Sequence, residues 1–185
     1  MYETDFKDGT TLHEDSVNAT FRVSSGIMKK LRAESEKRQT SLNAYINQVL
    51  RQHIEWDLFE SRIGMMPFPK PVLALMFANL DAGEVTKLAE GIGKNTAIEM
   101  AIFVQGRFSA ETFVSWIETR MKNSGCEVVR RTEEDGSQNI VIKHDLGKNW
   151  SLYLKTLIES TLNEAFGKTP DFFMTNSLVS FKYKI

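Results

Sequence analysis

Apolar side chains at Val17, Ala19, Phe21 and Val23 alternate with polar ones at Asn18, Thr20 and Arg22. A period of two over this stretch predicts a half-buried strand. The period then lengthens. Ile27, Met28 and Leu31 form an apolar stripe behind Ser24 or Ser25, either of which can cap a helix that ends near Arg38. Thr40 or Ser41 caps a second helix. Its apolar positions, Leu42, Ile46, Val49, Leu50 and Ile54, fall on one face.

A break follows. Gly64, Pro67, Pro69 and Pro71 crowd together, and prolines at that density stop helices and stiffen a linker. This divides the chain into a polar, flexible arm over 1–16, a strand-helix-helix module over 17–56, a linker over 57–71 and a second domain over 72–185. In the second domain, 72–79 and 82–103 have helical composition, with an expected break at Gly91 or Gly93. Ser109 caps a helix to Asn123 that carries Phe113, Trp116, Ile117 and Met121 on its apolar face. Segments 126–131 and 138–143 read as strands joined by Glu134-Asp135-Gly136-Ser137, where Asp-Gly is a strong hairpin signal. A long helix over 149–166, capped by Asn149, precedes a loop at Gly167–Pro170 and a strand over 178–185. This order predicts an α+β domain with a small antiparallel sheet.

Charge sharpens the picture. The whole chain has a net charge of -1, yet between Val17 and Ile54 seven bases face only Glu34 and Glu36. A basic block in an otherwise acidic chain is the distribution expected of a nucleic-acid module. The single cysteine, Cys126, excludes an internal disulfide and favours a reducing compartment. The first ten residues have neither a basic flank nor an apolar core, and no apolar run approaches a membrane span, so the expectation is a cytoplasmic protein with no membrane partner.

A lone strand of this length is not stable, and about 40 residues bury too little surface as a monomer. Two copies solve both problems. Their strands pair across a two-fold axis, four helices close over one face, and the polar face is left outward. A two-stranded ribbon fits the major groove of B-DNA. The outward residues are Asn18, Thr20 and Arg22, whose side chains can pair with adenine, meet thymine and chelate guanine. Ser41, Leu42 and Asn43 open the second helix, where free N–H groups and the helix dipole favour a phosphate.

From Asn18-Ala19-Thr20-Phe21-Arg22-Val23, through Ser24-Ser25, Ile27, Met28 and Leu31, to Ser41-Leu42-Asn43-Ala44-Tyr45-Ile46, the segment resembles the ribbon-helix-helix repressors of the Arc, MetJ and CopG type. The resemblance implies an intertwined dimer that binds double-stranded DNA and regulates transcription. It assigns base contacts to Asn18, Thr20 and Arg22 and phosphate contacts to Ser41, Leu42 and Asn43. One departure stands out. The family often has glycine in the turn between the helices, and Glu36-Lys37-Arg38-Gln39-Thr40 has none, so Gln39 or a neighbour must adopt the left-handed conformation. The resemblance does not extend to 72–185. That domain is expected to oligomerise (dimers pairing into a tetramer being one outcome), to sense a small molecule or to bind a protein. An antitoxin-like adaptor, in which the ribbon only dimerises and the second domain holds a protein partner, is the alternative function.

Other chemistry is weaker. His13, His53 and His144 share no metal-ligand spacing, so no metal and no cofactor is expected. His53 reads as a packing residue and Cys126 as a small buried hydrophobe. His144-Asp145 could form an acid-base pair, but a turn is the better reading, and no nucleophile-base-orienter set accompanies it, so no enzyme is expected. Gly91-Ile92-Gly93-Lys94-Asn95-Thr96 lacks the strand and spacing of a phosphate loop.

Overall fold

The computed structural model describes residues 16–58, 66 and 68–184. Most of the expected arm at 1–16 and of the linker at 57–71 lies outside the described residues, as do His13, Gly64 and Pro67. The chain forms two compact units that divide between Arg51 and Gln52.

The first unit holds two helices, α1 (Ser25–Lys37) and α2 (Leu42–Gln52). Ser24 caps α1, its Oγ accepting from the Ile27 amide at 3.4 Å. Ser41 Oγ accepts from the Ala44 amide at 3.1 Å and caps α2. Between them the chain closes in a Schellman turn. The Thr40 amide donates to Ser35 O, and the Gln39 amide donates to Glu36 O. The left-handed position of that turn is Gln39, with φ of 52°. A side chain there costs energy that glycine would not. No strand forms over Val17–Val23 in the single chain. Residues 16–24 have no ladder partner, and an unpaired extended segment leaves its backbone groups to solvent.

The second unit is α+β. Helices α3 (Lys70–Ala78), α4 (Ala82–Leu88), α5 (Lys94–Gln105) and α6 (Ala110–Asn123) lead into strands β1 (Glu127–Thr132) and β2 (Gln138–Lys143). Then come α7 (Lys148–Phe166), β3 (Asp171–Met174) and β4 (Leu178–Tyr183). Among the described residues the only sheet is antiparallel, in the order β1-β2-β4-β3. Register aligns two inward rows across it, Val128–Ile142–Val179–Met174 and Arg130–Ile140–Phe181–Phe172. Helices α6 and α7 cover these rows with Phe113, Trp116, Ile117, Leu154, Leu157, Ile158 and Leu162, all nearly or fully buried.

Several boundaries differ from the sequence reading. Strand β3 was not expected. At four residues it is too short for alternation to be persuasive, and its pairing with β4 decides it. Helix α7 starts at Lys148, so Asn149 lies inside it and does not cap it. The Asn149 amide instead donates to Phe77 O and Leu80 O at 2.9 and 2.8 Å, tying α7 to the end of α3. The break expected near Gly91 or Gly93 is a wide π turn, Ala89–Gly93, between α4 and α5. Gly93 is required there, because a Cβ would sit 2.7 Å from the Tyr153 hydroxyl. Gly136 takes φ of 77° in the β1–β2 turn, as its Asp-Gly signal implies.

Candidate functional site

In the first unit Asn18, Thr20 and Arg22 are exposed, as are Val17, Phe21 and Val23 between them. Ser41, Leu42 and Asn43 open α2. Tyr45 donates its amide to Ser41 O, and Ala44 donates to Ser41 Oγ. Among the described residues the amides of Ser41, Leu42 and Asn43 have no acceptor. These are the unsatisfied donors of a helix start. They point their partial positive charge outward, which suits a phosphate oxygen.

The same unit lacks a core. Among its described residues only Ser35 is buried. Phe21 is 69% exposed and Val17 86%. Val23, Ile27, Val49 and Leu50 are exposed too. Ile27, Leu31 and Tyr45 line an open groove between α1 and α2. The Arg38 guanidinium lies 5.2 Å from the centre of the Tyr45 ring.

In the second unit the His144-Asp145 pair does not act together. His144 is buried. Its Nδ1 accepts from the Leu146 amide at 3.3 Å, and its Nε2 lies 2.9 Å from Ser151 Oγ. Ser151 in turn donates to Thr175 O at 2.6 Å. An acceptor at Nδ1 and a donor at Nε2 describe a neutral ring, and burial holds the His144 pKa below its ordinary value. Asp145 turns outward to Lys70 at 3.2 Å, which lowers its pKa. Ser151 is fully buried and its hydroxyl is committed, so the contact between histidine and serine pins β2 and α7 to the loop before β4. His53 is not a packing residue. It is exposed, with Nδ1 3.3 Å from Asp57 Oδ2. Among the described residues no group of three His, Cys, Asp or Glu could hold a metal ion. Among them, too, no helix is long and apolar enough to cross a membrane.

A partly buried ion cluster sits where Arg130 enters the inward face of the sheet. Its Nη2 donates to both oxygens of Glu111 at 2.8 Å, and its Nε donates to Gln138 Oε1 at 3.0 Å. Glu118 stands 3.7 Å from Arg130 Nη1, and its Oε1 has no partner. Burial pushes the Glu118 pKa up despite the nearby arginine.

The sequence reading missed a cavity of about 690 Å³ in the second unit. Phe77, Leu88, Ile92, Met100, Trp150 and Tyr153 supply much of its apolar wall, and among the described residues Arg120 and Lys70 are its cations. No aspartate or glutamate among the described residues lines it. Cys126 also reaches it, is buried, and has its thiol pKa raised by that burial. The wall draws on α3, the π turn, α5, α6 and α7, and no local motif announces such a convergence. The nearest signal was Gly91–Gly93, which marked the break that opens the wall. Comparison with family models, with curated proteins and with solved structures returns no match.

Proposed function

We propose that this chain is a dimeric, sequence-specific DNA-binding regulator whose first unit is a ribbon-helix-helix module. The observation that carries this reading is the missing core. The first unit has two capped helices and an alternating extended segment, yet its apolar side chains remain exposed in the single chain. A second copy would pair the two segments as an antiparallel ribbon and bury Phe21, Val23 and Ile27. The same pairing would raise Asn18, Thr20 and Arg22 together on the outer face. The left-handed Gln39 supports the reading as well, since it supplies the tight turn that the family often builds with glycine.

In this arrangement the ribbon enters the major groove, and the two-fold axis dictates a palindromic operator. Arg22 reads guanine, Asn18 reads adenine, and the Thr20 methyl meets thymine, each contact contributing about 1–3 kcal/mol of discrimination. The open amides of Ser41, Leu42 and Asn43 grip flanking phosphates and fix the register.

Selection of binding sequences from random duplexes tests the proposal. The expected result is an inverted repeat bound with an affinity that falls steeply as salt rises. The Asn18→Ala, Arg22→Ala double variant is expected to lose sequence preference and retain weak general binding. Unchanged affinity and preference in that variant would sink the proposal. A stoichiometric protein partner and no retained DNA would favour the adaptor function instead.

A further inference from the structure

We infer that the cavity of the second unit binds a small organic carboxylate with an aromatic or aliphatic body, its carboxyl group held by Arg120 and Tyr153. The volume, about 690 Å³, lies within the range of small-molecule sites. The wall is more apolar than polar, so it takes up the body of the ligand. Thr96, Asn123 and Ser124 also line it, and the charged groups among its described residues are cations. The Arg120 guanidinium packs over the Trp116 ring at 5.4 Å, and among the described residues it has no carboxylate partner. Lys70, the other cation of the wall, is already committed to Asp145 and to Gly125 O. The Tyr153 hydroxyl makes no hydrogen bond among the described residues, although its ring is packed against Phe77 and Trp150. Trp150, only 6% exposed, lines the same wall, and its buried indole N–H has no acceptor among the described residues.

An unpaired, half-buried arginine beside an apolar cavity is costly, because its charge loses part of its hydration and gains nothing in exchange. Burial lowers the Arg120 pKa and raises that of Tyr153. A carboxylate supplies what each lacks. It accepts two parallel bonds from the guanidinium and one from the phenol. One uncommitted cation and no acid among the described residues of the wall select a single negative charge. The π turn Ala89–Gly93 shapes the wall beside Tyr153. It brings Ile92 and Gly93 to the wall, and the absence of a Cβ at Gly93 leaves room for the Tyr153 hydroxyl.

The inference is independent of DNA recognition, and its test needs no DNA. The full chain is titrated with decanoate and 2-naphthoate, and in parallel with the neutral 1-decanol and 2-naphthol. Tryptophan fluorescence is the readout, since Trp56 and Trp150 both line the cavity. Saturable binding is expected for at least one carboxylate, at least about tenfold tighter than for its neutral counterpart. Arg120→Gln is expected to abolish that preference while leaving the weak binding of the alcohol unchanged. Tyr153→Phe keeps the aromatic packing and is expected to weaken the carboxylate about tenfold. Without ligand, Arg120→Gln should melt at or above the parent temperature, because it removes an uncompensated cation. A residue with a purely structural role would lower it. Failure of both carboxylates to bind, equal binding of acids and alcohols, or unchanged carboxylate affinity in Arg120→Gln and Tyr153→Phe would each overturn the inference.

Discussion

Replacing Phe21 with alanine tests the dimeric ribbon at its most sensitive point. In the single chain Phe21 is 69% exposed, so if the protein worked as a monomer the change would be a surface substitution worth within about 0.5 kcal/mol. In a paired ribbon the same ring is buried under the helices of both copies. Fully burying a phenylalanine contributes about 1.5–3 kcal/mol, and about two thirds of this ring remains to be covered. That gives about 1–2 kcal/mol per copy from transfer alone. The dimer contains the ring twice, so association weakens by about 2–4 kcal/mol, or about thirtyfold to a thousandfold in Kd. The void left behind adds to this figure. Sedimentation velocity over a dilution series, with far-ultraviolet circular dichroism on the same samples, measures the effect. Association and helicity of Phe21→Ala should be lost at concentrations where the parent keeps both. Thr20→Ala, one residue away on the outer face, should dimerise as the parent does. If Phe21→Ala and the parent share one dissociation constant, Phe21 is not in an interface and the ribbon argument fails.

Two further outcomes follow from named groups. Gln39→Gly should stabilise the first unit by about 1 kcal/mol, because glycine takes the left-handed position without the penalty that a side chain meets there; thermal unfolding of the full chain reads the change. Glu118 carries a pKa raised by burial, so the folded state favours its protonated form, and the stability this contributes is present at low pH and lost as pH rises through the raised value. Glu118→Gln mimics the protonated acid. It should therefore unfold at higher temperature than the parent near neutral pH and converge with it below the ordinary glutamate range, and a parent advantage at neutral pH would show that the Arg130 contact outweighs desolvation.

The short-range signals of this chain were legible from sequence, and the long-range ones were not. Ser24, Ser41 and Ser109 each cap a helix where apolar periodicity begins, because capping depends on a hydroxyl and an amide three residues apart. The β1–β2 hairpin follows from Asp135-Gly136 and the strands either side of it. Gln39 stood out as a candidate for the left-handed position because a Schellman turn needs one and the stretch holds no glycine. Over Val17–Val23 apolar and polar positions are exposed alike, because the strand that would sort them has no partner within one chain. By contrast, the third strand, the place of Asn149 and the burial of His144 were decided by contacts between segments distant along the chain. A four-residue strand exists only because β4 offers it a ladder, and Asn149 binds the end of a helix about 70 residues away. The cavity belongs to this second class as well. Arg120 reads in sequence as a favourable base in the last turn of a helix. Only the tertiary packing around α6 leaves it without an acid among the described residues and beside an apolar wall, since the chain's own order says nothing about which carboxylates it will meet.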